Sequence, residues 1–279
     1  MSIWIGDIGG SSSRWGVLGR GPGEILPGPF PGFNPLTGDP GPLQARLRGA
    51  WQVTGGEGPA EVFAYGAGCG SQVRAARMRQ VLAEVWPEAR IDVQTDLLGA
   101  ARSVYGSKPG LVLILGTGMN AGHYDGGFMH TPMPSLGYIL GDEGSGADIG
   151  KHLLRDALYG LVPTRISGAL FPQGMDLGAV LSEVYRSTAA QAYVASFTAA
   201  LAGHRHEHYV HDLVASRFFA LARLLERFFA EDERREVKAV GAVAHGFRDL
   251  LQMALGREGM LLTAVERDPL PGLLAFHRP

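Results

Sequence analysis

The sequence predicts an α/β protein made of two related halves. Strand-like apolar runs alternate with helix-like periodicities along most of the chain. A pattern of strand, glycine turn, strand also occurs twice, in "SIWIGDIGGSSSRWGVL" (2–18) and in "LVLILGTGMNAGHYDGG" (111–127). The chain has 279 residues, enough for one large or two medium domains with real cores. The duplicated pattern favours two, with a boundary near 106–111.

In chain order, the first strand is expected to end on Asp7 and the second to run near Arg14–Leu18. The Pro/Gly-rich stretch 23–42 reads as a loop region with a short third strand at 24–27. "AEVFAYGAGCG" (60–70) reads as a buried strand and a glycine loop. Residues 71–86 carry Val73, Ala76, Met78, Val81, Leu82 and Val85 at helical spacing. "RIDVQT" is a strand, and Asp96 opens the helix that follows. After the second hairpin, Ser145 precedes a helix with Ile149, Leu153, Leu154 and Leu158 on one face. The stretch 160–210 is mostly helical. Residues 211–229 are the clearest amphipathic helix, with Val214, Phe218, Leu221, Leu225 and Phe228 on one stripe. Residues 237–255 read as strand, small-residue turn and helix.

Composition excludes several classes. Apolar residues make up 46% and charged residues 19%, an ordinary globular balance, and the net charge of −2 gives no attraction to nucleic acid or an anionic membrane. Cys69 is the single cysteine, so an intrachain disulfide or a multi-cysteine metal site within one chain cannot form. No apolar run approaches the ~20 residues that span a bilayer, and "MSIWIGDIGG" lacks a basic n-region. A cytoplasmic protein is expected. The 41 glycines are roughly twice the usual share and cluster in turns, as close approach of backbone to a ligand would require.

Three constellations carry chemistry. A glycine turn lets backbone N–H groups approach phosphate oxygens, with Ser11, Ser12, Ser13 and Thr117 as hydroxyl donors. An ordinary hairpin turn explains either one alone at least as well; their recurrence favours phosphate. Neither is a Walker A loop or a Rossmann fingerprint. Asp7, at a strand end, is suited to holding Mg²⁺ through water. Asp96 is either an N-cap or a general base at a strand's carboxyl end, where α/β sheets bind ligands. In "LGYILGDEGSGADIGKHLL" (136–154), Asp142 and Glu143 sit among four glycines, more than a helix cap requires; a metal, a phosphate and a sugar hydroxyl are all candidate partners. By contrast "HRHEHYVH" (204–211) lacks an H-E-x-x-H acid and reads as a loop, and Cys69 reads as a packed residue.

"DIGGSSSRWGVL", "GFNPL", "QTDLLGAARSVYG", "LVLILGTGMNAGHYDGG", "PSLGYILGDEGSGADIGKHLL" and "VGAVAHGF" occur in this order. Together they resemble the bacterial N-acetylglucosamine kinase-like branch of the sugar kinase/Hsp70/actin superfamily, which also holds the activator ATPases of benzoyl-CoA reductase and 2-hydroxyacyl-CoA dehydratase. The resemblance covers nearly the whole chain. It implies two ribonuclease-H-like (actin-like ATPase) domains flanking a cleft, here 1–108 and 109–264, with the tail 265–279 packing back on the first. It implies an ATP site of Asp7, Gly9, Gly10, Ser11, Ser12, Gly116, Thr117, Gly118, Gly241 and Ala242, with Mg²⁺ at Asp7. It implies a sugar site of Asn34, Asp96, Ser135, Leu136, Gly137 and Asp142, with Asp96 as catalytic base. Two positions depart from the family pattern: Ser11–Ser13 lacks a lysine, and Ala242 stands where Ser or Gly is usual.

The expected function is ATP-dependent phosphorylation of an amino sugar, N-acetylglucosamine to its 6-phosphate first among several. The expected partner is that small molecule, with no nucleic acid and no membrane; a homodimer is a candidate assembly. The alternatives are an ATPase activator, which needs cysteines for a shared iron–sulfur cluster and has only one per chain here, and a nucleotide-binding regulator, for which no helix-turn-helix segment precedes Ile3.

Overall fold

The computed structural model describes residues 2–19, 23–53 and 58–278. The chain divides into two compact units. One comprises 1–108, 126–128 and 268–279; the other comprises 109–125 and 129–267.

In the first unit, β1 (Ile3–Ile8), β2 (Ser12–Leu18), β3 (Glu24–Ile25) and β4 (Phe30–Pro31) lead to α1 (Gly41–Val53), β5 (Glu61–Gly66), α2 (Gln72–Ala83), β6 (Arg90–Thr95) and α3 (Asp96–Tyr105). The sheet order is β3-β2-β1-β5-β6, with β4 on β2. β1 pairs antiparallel with β2 and parallel with β5, and β5 is parallel to β6. Alternation along β1 sends Trp4 and Ile8 to one face and Ile5 to the other. The first face packs Trp4, Trp15 and Trp86 together under α1 and α2, the Trp4 and Trp86 rings 4.9 Å apart. Gly6 is required there, because an added Cβ would lie 2.7 Å from the Trp15 ring. In α2 the stripe is narrower than the spacing suggested: Met78, Val81 and Leu82 are buried, but Val73 is 79% exposed and Ala76 is exposed too. Ser71 caps this helix, so Val73 falls in its first turn, away from the sheet.

The second unit holds β7 (Gly110–Leu115), β8 (Met119–Tyr124), β9 (Met129–His130), α4 (Gly137–Leu140), α5 (Gly146–Leu158), α6 (Thr164–Leu170), α7 (Leu177–Arg186), α8 (Ala190–Leu201), α9 (His208–Phe228), α10 (Glu231–Arg234), β10 (Glu236–Val240), α11 (Ala242–Gly246), α12 (Arg248–Arg257) and β11 (Leu261–Glu266). Its sheet order, β11-β10-β7-β8-β9, repeats that of the first unit. Again the first strand is antiparallel to its hairpin partner and parallel to the next strand in. The duplication is therefore one of topology as well as of turns. Leu111, Leu113, Leu115, Phe218, Leu221, Leu225, Leu251 and Leu255 fill the core between sheet, α9 and α12. Each such side chain, fully buried, contributes about 1.5–3 kcal/mol. α9 begins three residues earlier than its apolar stripe suggested, so His208 and His211 are helical.

The last helix, α13 (Leu270–Phe276), returns to the first unit and packs Leu270, Leu273 and Leu274 with Ile5, Leu18 and Tyr65. His277 stacks on Phe63 with ring centroids 4.0 Å apart and shares a 2.7 Å hydrogen bond with the Tyr65 hydroxyl. Among the described residues, no helix is long and apolar enough to cross a membrane.

α5 and α8 are in close contact at Gly150, where an added Cβ would run into the Val194 carbonyl. Gly150→Ala is expected to cost about 1–3 kcal/mol through forced backbone displacement. Gly168→Ala, where the added methyl meets nothing, is expected to be neutral or stabilising by under about 1 kcal/mol. Urea unfolding of the two variants compares them; equal stability would contradict the close packing of α5 on α8.

Candidate active site

Within the first unit, the predicted residues gather at the carboxyl ends of parallel strands. Asp7 is the penultimate residue of β1, and Asp96 follows β6 directly. The turn between β1 and β2 closes with the Gly9 amide donating to the Ser12 carbonyl at 2.9 Å, leaving Gly10, Ser11 and Ser12 exposed. The Asn34 loop is tied to this turn, because the Phe33 amide donates to the Gly9 carbonyl at 3.1 Å. Gly32 makes that approach possible, since a Cβ there would meet the Gly9 carbonyl and the Ser12 amide. Asn34 itself is exposed, its Oδ1 accepting from the Leu36 amide at 2.9 Å.

The helix α3 resolves the two readings of Asp96 in part. Its N-cap is Thr95, whose hydroxyl accepts from the Leu98 amide at 3.2 Å. Asp96 is the first helical residue, and only its Oδ1 is engaged with a neighbouring amide, that of Leu97, at 2.8 Å. Capping is thus supplied by the residue before it.

Within the second unit, the hairpin turn at Gly116–Gly118, the loop 141–145 and the start of α5 interlock. The Gly146 and Ala147 amides donate to the Gly116 and Thr117 carbonyls at 2.8 and 3.0 Å, and the Asp148 amide donates to Ser145 Oγ at 3.1 Å. The first amides of α5 are therefore spent on the hairpin and the cap. Asp142 is 6% exposed. Its carboxylate accepts from the Met119 amide, and the Gln191 side-chain amide lies 3.4 Å from its Oδ2. Gly118 permits this, because a Cβ there would stand 2.9 Å from Asp142 Oδ2. Gly241, at φ +125°, packs against the Leu115 carbonyl and starts α11 at Ala242, which brings this segment against the Gly116 hairpin. Ser135 and Leu136 are exposed and line, with Asp142, a cavity of about 250 Å³ whose other walls include Met119, Asn120, Met133, Leu224 and Phe228. Asn120 and Gln191 were not singled out in the sequence. Asn120 follows directly on the glycine turn, a signal that was available; Gln191 lies 49 residues from Asp142, and nothing local pointed to it.

The chain is similar over 99% of its length to the crystal structure of a proposed N-acetylglucosamine kinase from Porphyromonas gingivalis. The two are 31% identical, with a TM-score of 0.85 and 98% of that chain covered. The chain belongs to the N-acetylglucosamine kinase-like family. This family lies within the sugar kinase/Hsp70/actin superfamily. A second proposed N-acetylglucosamine kinase, from Chromobacterium violaceum, matches at 21% identity and TM-score 0.71, over 99% of both chains. A glucokinase of the ROK family from Streptomyces griseus, solved with glucose and AMPPNP, shares the fold at 16% identity and TM-score 0.56, over 99% of this chain and 98% of that one. No protein-family model and no curated protein matches the chain.

In this N-acetylglucosamine kinase-like chain the electrostatics of the first unit are unusual. Burial first, and then the nearby Asp96 and Asp268, raise the Asp7 carboxyl to about 7, against a smaller opposing effect of Arg14. Burial likewise lifts Asp96 to about 6, opposed by backbone hydrogen bonds from Leu97 and from its own amide. Arg14 faces Asp7 across the hairpin but pairs with Asp268 at 2.8 Å. Three part-buried carboxylates with one shared cation suit a site completed by a further cation. Among the described residues, no three acidic, His or Cys side chains converge closely enough to hold a metal by themselves. Mg²⁺, which keeps several waters and takes one or two carboxylates plus phosphate oxygens, does not require such a cluster. In the second unit, burial raises Asp142 to about 6, with the Met119 amide opposing.

These shifts fix a sign. A carboxyl raised from 3.8 to about 7 binds more protons folded than unfolded, so the stability it contributes is lost as pH rises from about 4 through 7. Asp7→Asn removes that loss. Without added metal or nucleotide, the melting temperature of Asp7→Asn relative to wild type is expected to climb between pH 4.5 and 7.5, an interval set by the two values. A difference that stays constant across this range would contradict the burial of a chargeable Asp7.

Proposed function

We propose that this protein transfers the γ-phosphoryl group of ATP to a hydroxyl of an N-acylated amino sugar, with N-acetylglucosamine phosphorylated at O6 as the first candidate. The observation that carries the reading is Asp96: a carboxylate at a strand's carboxyl end, relieved of capping by Thr95, in a chain of the N-acetylglucosamine kinase-like family. With its carboxyl near 6, Asp96 is ionised at neutral pH yet more basic than an exposed aspartate. The oxygen not engaged by Leu97 accepts the proton of the attacking hydroxyl.

Gly9, Gly10, Ser11, Ser12, Gly116, Thr117 and Gly118 offer exposed or side-chain-poor backbone to the phosphates, and Gly241 and Ala242 take the adenosine side. Asp7 holds Mg²⁺ through water. When bound, that ion supplies charge neutralisation to the transferring group. Asn34, Ser135, Leu136, Gly137 and Asp142 orient the sugar. The cavity beside Asp142, apolar apart from Asn120, Ser135, Glu143 and the Arg227 side chain, supports an acylated rather than a free amine, because it offers methyl-sized contacts next to hydrogen-bonding groups.

An ADP-release assay with Mg²⁺-ATP across a panel of hexoses, hexosamines and N-acylhexosamines is expected to show sugar-dependent release greatest for an N-acylated member. Release that is the same with and without every sugar would reject the kinase reading. On the responding sugar, Asp96→Asn is expected to lower kcat by roughly 10²–10⁴-fold with sugar KM nearly unchanged, as removal of a general base does.

A further inference from the structure

We propose that Arg217, acting through Asp148, is a positioning residue that holds Asp142 in its site conformation. The inference rests on the sugar-kinase reading of Asp142 given above. Asp142 is, among the described residues, the non-glycine residue with left-handed backbone, at φ 60°. Such a conformation persists where surrounding bonds over-determine it. The side chain is fixed by the Met119 amide and approached by Gln191, but the backbone of loop 141–145 needs its own hold.

That hold runs through Asp148 on α5. The Gly144 amide donates to Asp148 Oδ2 at 3.0 Å, and Arg217 Nε of α9 donates to the same oxygen at 2.7 Å. The Asp148 amide donates to Ser145 Oγ, and the Ser145 amide donates to the Asp142 carbonyl at 3.0 Å. The Asp148 carboxylate thus joins α9 to the loop at Gly144, while its amide holds the Ser145 cap, whose own amide reaches back to Asp142. Gly144 also seats against α9 beside Arg217: an added Cβ would lie 3.1 Å from Phe218 and 3.2 Å from Leu221.

Asp148 is 2% exposed, so its charge depends on partners rather than water. Lys151 Nζ, 3.9 Å from Oδ1, and His152 Nδ1, 3.4 Å from it, face the other oxygen. His152 Nδ1 lies closer, at 2.8 Å, to the Asp148 backbone carbonyl. Removing the Arg217 guanidinium leaves a buried carboxylate that must take up a proton or turn toward Lys151 and His152. The first weakens Oδ2 as an acceptor for the Gly144 amide and the second turns it away, and both loosen the loop that carries Asp142.

A plain structural tie between α9 and α5 would look similar, and the protein contains a control for it. Tyr209 of α9 donates to Asp156 Oδ2 of α5 at 3.0 Å, remote in sequence from the loop. Wild type, Arg217→Gln, Arg217→Lys and Tyr209→Phe are compared for sugar KM, ATP KM and kcat on the responding amino sugar, and for hydrogen exchange of the 141–145 amides. Arg217→Gln is expected to raise sugar KM by about tenfold or more, the size of losing an outer hydrogen-bonding partner, and to speed Gly144 exchange. Arg217→Lys recovers most of the effect, and Tyr209→Phe stays within about twofold of wild type. Arg217→Gln within about twofold of wild type, or shifted equally with Tyr209→Phe, overturns the proposal. Should Arg217→Gln not fold, the isosteric Asp148→Asn replaces it, with the same readouts and the same limits. A wild type that turns over no amino sugar rejects the kinase reading instead; exchange at Gly144 then decides, and unchanged exchange in Arg217→Gln overturns the positioning.

Discussion

A part-buried carboxylate at the end of the first strand is the constraint around which the first unit is arranged. Asp7 gains its position from β1, which is held on both sides by β2 and β5. Burial and two further acids make its charge costly, so the folded protein without a ligand keeps it part-protonated near neutral pH. Arg14 is the nearest cation, but Asp268 at the entry to α13 shares it. The return of the C-terminal segment thus adds both packing, through Leu270, Leu273 and Leu274, and an acid that increases the demand for positive charge. Such an arrangement suits the Mg²⁺ role proposed above for Asp7.

The second unit uses the same sheet for a different end. Its hairpin at Gly116–Gly118 is locked to α5 by two backbone hydrogen bonds, and Asp142 is drawn onto the Met119 amide. Where the first unit crowds acids, the second satisfies its buried acids with amides and, at Asp148, with a guanidinium. One topology therefore supplies two glycine turns with distinct surroundings.

The parts of this arrangement that were legible in the sequence are local. Period-two alternation and glycine turns marked β1, β2, β7 and β8, and the repeat of the turn indicated the repeat of the sheet. Periodicity misjudged α2, because spacing alone cannot tell that Val73 lies in the first turn beyond the edge of the sheet. Asp96 reads from sequence as a cap or a general base alike, because Asp caps well; the hydroxyl of Thr95, one residue earlier, is the better-placed cap acceptor. The Asp148–Arg217 pair spans 69 residues, and Asp148, three residues after Ser145, resembles an ordinary first-turn acid. Long-range partners of this kind leave no periodic trace in the sequence, so only the fold brings Arg217 to Asp148.

The acid cluster around Asp7 is most directly tested by calorimetric titration of preformed Mg²⁺-ATP at neutral pH in two buffers of different ionisation enthalpy. If Asp7 sits near 7 when unliganded and the complex binds against it, binding must expel the fraction of a proton that Asp7 carries at that pH, and the observed heat will differ between the buffers in proportion to that fraction. Asp7→Asn should lose most of that difference. Binding of Mg²⁺-ATP with identical heats in both buffers would contradict the account, because it would mean that no raised carboxyl gives up its proton on binding.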